Sequence, residues 1–308
     1  MKIITINLNP VYDIFYRVPG FRPYKENIAD AVSVYTGGKG MNVSRALLVN
    51  GYESSAYILL GKDNCQSFVN GIHSDGINSR LFYTDGRMRE NITLLTDGIP
   101  ETRICMNDFS CDSTTLRPIL SALSQEANRD TIIVCSGKFP KGITSGDAMD
   151  FVKELKTISS HVVLDSNTFT ASQVLEIKPW LIKPNEEEIE SLTGKSFSDT
   201  KDLFSAADQL YQNGIANILI SLGGKGAVYC GELGQCAVKV PHIEPLSTIG
   251  AGDSTVAGFI SAYSENVGLE ECMKRACAFG TAACLEPGTN PPLPQNIAKL
   301  LKEIKVVI

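Results

Sequence analysis

Gly250-Ala251-Gly252-Asp253-Ser254-Thr255 sets two glycines and a carboxylate at the head of an apolar run, Val256 to Tyr263. Glycine lets backbone N–H groups close on an oxyanion, and a helix beginning near Asp253 adds the positive end of its dipole. A carboxylate beside bound phosphate is electrostatically unfavourable unless it has a task, such as taking the proton of an attacking hydroxyl. The spacing therefore predicts a β-like stretch ending at Ile249, an anion cradle at Gly250, Ala251 and Gly252, and Asp253 as base. Read locally, the same string is an Asp N-cap behind a glycine turn. Other segments have to decide.

Gly37-Gly38-Lys39-Gly40-Met41-Asn42 is a second glycine-rich string, also ahead of an apolar helical run. It is not a Walker A loop, because Gly40 follows Lys39 and no Ser or Thr comes next. It suits a polyanion or polyol site, with Lys39 on phosphate and Asn42 on a sugar hydroxyl, or else a structural turn. Arg87, Arg89 and Asn91 recur at period two and would share one face of a strand, where two planar guanidiniums and an amide fit a phosphate ester. Solvated surface arginines would give the same pattern. Asp13 follows the first strand-like run, where a carboxylate can accept bonds from sugar hydroxyls or simply turn the chain. In Lys183-Pro184-Asn185-Glu186-Glu187-Glu188, the carboxylates could hold water-coordinated Mg²⁺ near phosphates, or complement a helix dipole. Ser221-Leu222-Gly223-Gly224-Lys225-Gly226 is a glycine-rich turn suited to a nucleotide. Because Ala227–Cys230 reads as a strand, the dinucleotide fingerprint, which needs a helix there, is weakened.

The elements that must hold these residues alternate. Strand-like runs at Ile3–Leu8, Ser55–Leu60, Thr131–Cys135, His161–Leu164, Trp180–Ile182 and Ile218–Leu222 are interleaved with helical patterns at Met41–Val49, Leu116–Ala127, Gly146–Leu155, Asp202–Gln212 and Val256–Tyr263. That rhythm predicts a doubly wound, mostly parallel α/β sheet flanked by helices, with ligands beyond the carboxyl ends of the strands. Two segments, about 13–35 and 87–108, break the rhythm. The second reads as strand–turn–strand with Gly98-Ile99-Pro100 at its tip. Together they predict a small accessory β-sheet, either a lid or a plain edge extension, on a single domain spanning 1–308.

The chain has 308 residues, 43% of them hydrophobic, enough for a large core. Its 28 basic against 34 acidic side chains leave −6, which argues against a nucleic-acid surface. Nine cysteines without a C-x-x-C pair, alongside three histidines, give poor zinc or redox spacing and read as small apolar residues in a reducing compartment. No charged leader precedes the first strand and no stretch reaches membrane-spanning length, so no membrane partner and a cytoplasmic location are expected.

Taken in order, these strings resemble the PfkB, or ribokinase-like, family of carbohydrate kinases over essentially the whole chain. The early G-G-x-G-x-N signature falls on Gly37–Asn42, the N-x-x-E element on Asn185 to Glu188, and the late G-A-G-D signature on Gly250–Asp253. The resemblance implies a ribokinase-like fold with a small β-sheet lid, ATP and Mg²⁺ as cofactors, and a homodimer formed through the lid strands. It further implies Asp253 as catalytic base and Gly250, Ala251 and Gly252 as anion hole. Asp13, Gly37, Gly38, Lys39, Asn42, Arg89, Asn91 and Lys138 would bind substrate. Lys183, Asn185, Ser221, Gly223, Gly226, Thr248, Gly280 and Ala283 would line the nucleotide site, with Glu188 on the metal through water.

Within the family, Asn9–Asp13, Gly61–Asn64, Gly86–Asn91 and Pro179–Asn185 look most like the 1-phosphofructokinase branch, with tagatose-6-phosphate kinases as neighbours. That implies phosphorylation of a ketose already bearing a phosphate, the 6-hydroxyl of fructose 1-phosphate first and tagatose 6-phosphate as alternative. From another class, the chain would be a nucleotide- or sugar-phosphate-binding regulator. Three strings depart from the branch's usual pattern: Ser136-Gly137-Lys138-Phe139-Pro140, with an added cation, Asp165-Ser166-Asn167-Thr168, and Cys105-Met106-Asn107-Asp108-Phe109. They bear on the sugar more than on the kinase chemistry.

Overall fold

Fourteen strands and ten α-helices make up the computed structural model, which describes residues 1–197 and 199–307. In chain order they are β1 (Ile3–Asn7), β2 (Val11–Arg17), β3 (Ala31–Gly37), α1 (Lys39–Val49), β4 (Ser55–Gly61), α2 (Gln66–Asp75), β5 (Ser79–Thr84), β6 (Arg89–Thr96) and β7 (Ile99–Cys105). There follow α3 (Arg117–Glu126), β8 (Ile132–Ser136), α4 (Ser145–Ile158), β9 (His161–Asp165), α5 (Ala171–Ile177), β10 (Leu181–Ile182), α6 (Glu186–Thr193), α7 (Thr200–Gln212), β11 (Asn217–Ser221), β12 (Ala227–Gly231) and β13 (Gly234–Lys239). The chain closes with α8 (Ala251–Ser264), α9 (Leu269–Ala283), α10 (Pro294–Glu303) and β14 (Lys305–Val306).

The main sheet has ten strands in the order β14-β13-β12-β11-β10-β9-β8-β1-β4-β5. From β11 to β5 every pairing is parallel, and β12, β13 and β14 add an antiparallel edge. The chain builds outward from β1 to β4 and β5, then returns to β8 on the other side. Strand order therefore reverses at the β1–β8 pair, the position where open α/β sheets bind ligands beyond their carboxyl ends.

The central strands are buried on both faces, which is why they read as continuous apolar runs rather than alternating ones. Ile4 and Ile6 point into one core with Phe68, Ile119, Phe151 and Leu203 from α2, α3, α4 and α7. Ile3, on the opposite face, joins Val43, Leu47, Phe259 and Met273 from α1, α8 and α9.

A separate four-stranded sheet, in the order β3-β2-β6-β7, stands off the carboxyl end of β1. It contains both segments that break the α/β rhythm, with β2 and β6 parallel and the other pairs antiparallel. The β6–β7 turn is at Asp97-Gly98, and the side chains of residues 99–101 lie outside the description. Two local readings of the sequence need correction. Arg87 does not share a face with Arg89 and Asn91: β6 starts only at Arg89, and the exposed Arg87 pairs instead with Glu90 at 3.0 Å. No strand ends at Ile249 either. The segment after β13 is irregular, its Leu246 N–H donating to Cys284 O at 2.8 Å, and the left-handed turn at Gly250 (φ 81°) starts α8 at Ala251, so Asp253 is its third residue rather than its N-cap. No helix among the described residues is long and apolar enough to cross a membrane.

Candidate active site

Helices α1 and α8 both point their N-termini at the switch point. Gly38, at φ 120°, caps α1 where a Cβ would lie 2.5 Å from the Asn7 side chain, so only glycine lets this helix start directly over the end of β1. The two helices meet through Asn42 and Asp253, whose Nδ2 and Oδ2 are 2.8 Å apart. Strand ends supply the rest. Asp165 closes β9 and Lys183 follows β10, both buried. Lys39 Nζ lies 3.2 Å from Asp165 Oδ2, and Lys183 Nζ lies 4.0 Å from Asp165 Oδ1.

The small sheet provides the facing wall. Asp13 and Asn91 sit opposite one another in register, and Asn91 Nδ2 donates to Asp13 Oδ1 at 2.9 Å. Arg103, on β7, reaches across to the same oxygen at 3.0 Å. These groups enclose a cavity of about 320 Å³ lined by Asp13, Gly38, Lys39, Asn42, Arg89, Asn91, Arg103, Asp165, Lys183, Gly250, Gly252 and Asp253. Gly37 backs it, its Cβ position 2.8 Å from Asp13 Oδ2.

Three buried polar atoms on this wall lack hydrogen-bond partners: Asn42 Oδ1, Asn91 Oδ1 and Arg89 Nε. Because both amides spend an N–H on a carboxylate, their orientations are fixed. The cavity these residues line sets four cations, Lys39, Arg89, Arg103 and Lys183, beside amides and carboxylates, which suits an anion that also carries hydroxyls. A phosphorylated polyol has that pattern.

Electrostatics follow from the same packing. Burial pushes Asp253 up to about 7; the Asp165 carboxylate adds to this, while Lys39, the Asn42 hydrogen bond and Lys183 oppose it. Burial works against the charge on Lys39, yet Asp165 and Asp253 outweigh it and hold its pKa above the usual lysine value. Burial lowers Arg89 against the pull of Asp13 and Asp108.

A larger cavity of about 620 Å³ opens on the other side of α8. Its walls are the β11–β12 turn, the irregular segment 240–248 and facing residues of α8 and α9. Asn185, Ser221, Gly223, Gly226, Thr248, Ala251 and Gly280 all line it. Gly226, at φ 113°, has its Cβ position only 1.9 Å from Val238 O, so any side chain there would break the turn. Gly252 lines both cavities, and a ligand in each would meet over the first turn of α8.

Of the residues singled out from sequence, several stand apart: Lys183 lines the smaller cavity rather than the nucleotide one, and Glu188 lines neither. Ala283 is buried and absent from the lining, where Cys277, Thr281 and Cys284 are found instead. Lys138 is exposed and lines neither cavity. Two site residues had not been singled out. Asp165 was legible as an acidic strand end, whereas Arg103 depends on a cross-strand register no local pattern announces.

Glu188 Oε2 accepts the Asn185 N–H at 2.9 Å in a capping box, leaving Oε1 for a further donor. Among the described residues no group of three or more His, Cys, Asp or Glu could hold a metal. Mg²⁺ keeps several waters and is commonly held by one or two carboxylates and substrate phosphates. Asn185, which lines the larger cavity, and its capping-box partner Glu188 fit that donor set.

Residues 5–296 match the family described as pfkB family carbohydrate kinase. The chain is 30% identical over 314 residues to a 1-phosphofructokinase of Haemophilus influenzae, covering 100% of this chain and 98% of that protein. It is 31% identical over 308 residues to a tagatose-6-phosphate kinase of Staphylococcus epidermidis, covering 99% of each. Among solved structures, phosphofructokinase-2 of Escherichia coli, crystallised in complex with substrates and products, superposes with a TM-score of 0.90 at 24% identity, over 98% of this chain and 99% of that one. That last likeness is one of fold.

Proposed function

The chain belongs to the pfkB family of carbohydrate kinases, and from that premise we propose that it transfers the γ-phosphoryl of ATP to the 6-hydroxyl of fructose 1-phosphate. The products are fructose 1,6-bisphosphate and ADP. The observation that carries this reading is the pairing of two cavities across Gly252, the smaller one walled by four cations, with Asp253 in it next to that shared glycine.

On this reading ATP occupies the larger cavity, with its γ-phosphate over the first turn of α8. Backbone N–H groups of Gly250–Gly252 and the helix dipole stabilise charge on the phosphoryl in flight. The acceptor hydroxyl lies beside Asp253. Its oxygen bonds to the γ-phosphorus as the bond to the β–γ bridging oxygen breaks, and its proton passes to the Asp253 carboxylate. An acid constant near 7 suits a base working at neutral pH. Asp13, Asn42 and Asn91 hold the sugar, and Arg89 neutralises the ester it already carries. Asn185 and Glu188 would hold Mg²⁺ through water, and the ion would supply charge neutralisation on the ATP phosphates. The small sheet acts as a lid that excludes water.

Tagatose 6-phosphate is the second reading, favoured by the 31% identity to a kinase named for it. A coupled ADP-release assay across fructose 1-phosphate, tagatose 6-phosphate, fructose 6-phosphate and unphosphorylated fructose decides between them. Fructose 1-phosphate is expected to give the highest kcat/KM. Faster turnover of tagatose 6-phosphate would shift the assignment, and no ADP from any of them would make the chain a binding protein.

A homodimer through the lid completes the proposal. On the sheet face turned away from the cavity, Val32, Val34 and Ile104 are each more than half exposed, an apolar face suited to a second copy.

A further inference from the structure

Asp165 has no part in the proton transfer described above, yet it sits at the centre of the site's charge. It is one of three buried carboxylates lining the smaller cavity, with Asp13 and Asp253. Its two oxygens are divided between two ammonium groups: Oδ2 faces Lys39 at 3.2 Å and Oδ1 faces Lys183 at 4.0 Å. Asp253 makes no ion pair within 4.0 Å among the described residues, and its bonded neighbour is the neutral Asn42. Meanwhile Lys183 Nζ stands 3.0 Å from where a Cβ on Gly252 would be, against the first turn of α8.

This division of partners has a consequence for transfer. Two lysines beside a lone buried carboxylate would collapse onto it, quenching a base and pulling both cations away from the phosphoryl path. A second carboxylate gives them another anchor. We propose that Asp165 is a positioning residue for phosphoryl transfer, holding Lys39 and Lys183 at the seam between the two cavities so that they face the phosphoryl group and leave the Asp253 carboxylate free. The inference rests on the reading of Asp253 as base.

The groups that face Asp253 are Asp165 from β9, Lys39 and Asn42 from α1, and Lys183 after β10, with Asp13, Arg89 and Arg103 across the cavity. Removing the negative charge of Asp165 takes away a like charge and releases two opposite ones, and both changes favour ionised Asp253. Removing an ammonium does the reverse. Substrate phosphates titrate near pH 6 in every variant, so the informative quantity is the difference from the parent.

The test is the pH profile of kcat/KM for Asp165→Asn, Asp165→Glu and Lys183→Met. Asp165→Asn should move the acid limb down by about 1–3 units and lower the plateau kcat roughly 10–100-fold. Lys183→Met should move the limb up. Asp165→Glu keeps the charge but shifts it by a methylene, so it should leave the limb in place with a lowered plateau. An unmoved limb in Asp165→Asn overturns the proposal, as does a parental plateau in Asp165→Glu. A rise in the Mg²⁺ needed for half-maximal rate with an unmoved limb would make Asp165 a metal ligand instead, which also overturns it. Near-parental turnover of Asp253→Asn defeats the underlying reading, whereas its collapse beside an unmoved Asp165→Asn limb defeats the positioning role alone.

Discussion

Arg89→Gln isolates the cationic clamp from the chemistry. Arg89 is desolvated, lacks a partner at Nε, and lies between Asp13 and Asp108, whose carboxylates compensate its charge in the absence of ligand. Glutamine retains much of the bulk and one amide donor but no charge, leaving those carboxylates to repel an incoming ester. A hydrogen bond to a charged group contributes about 1.5–3 kcal/mol net, which at about 1.4 kcal/mol per decade is roughly a 10–150-fold rise in KM for the sugar phosphate. Arg89 does not line the nucleotide cavity, so KM for ATP should hold. The phosphate it grips does not react, so kcat should change little. Initial rates by coupled ADP release, varying each substrate at saturating concentrations of the other, separate these terms. An unchanged sugar-phosphate KM would refute the clamp. A parallel fall in kcat and kcat/KM would show that Arg89 acts in the transition state instead.

Two further expectations concern the walls of the site and the outer face of the lid. Gly280→Ala would place its Cβ 2.3 Å from Thr255 Oγ1, between α8 and α9. Overpacking of this kind costs about 1–3 kcal/mol, so a lower melting temperature and a raised KM for ATP are expected, and a parental melt with parental ATP kinetics would contradict the packing argument. Val34→Asp puts a charge on the exposed apolar face of β3 and should convert a dimer to monomer in sedimentation velocity. An unchanged sedimentation coefficient would place the interface elsewhere.

Much of the scaffold was legible because its parallel strands are buried on both faces. Ile3–Leu8, Ser55–Leu60 and His161–Leu164 announce themselves as apolar runs that match β1, β4 and β9 to within a residue. Helix α9 was harder to see, since Ala276, Ala278, Gly280, Ala282 and Ala283 give it a surface of small residues with little periodic contrast where it packs on α8. The start of α8 could be placed only approximately, because the turn into it comes from the left-handed backbone of Gly250, a property of conformation rather than composition. Lys39, Asn42 and Asp253 stand out by residue type within glycine-rich strings. The Asn42–Asp253 bond spans 211 positions and the Arg103–Asp13 pair spans 90, so only the folded chain reveals which amide and which guanidinium face which carboxylate.

The central claim is that the buried carboxylate at the head of α8 removes the proton of the attacking hydroxyl. Asp253→Asn keeps the shape and removes the base, so kcat for ADP release with the preferred sugar phosphate should fall by about 10²–10⁴. Asp253 lies outside the lining of the nucleotide cavity, so ATP affinity by titration calorimetry should be retained. Turnover near that of the parent, with ATP bound as tightly, would contradict the account.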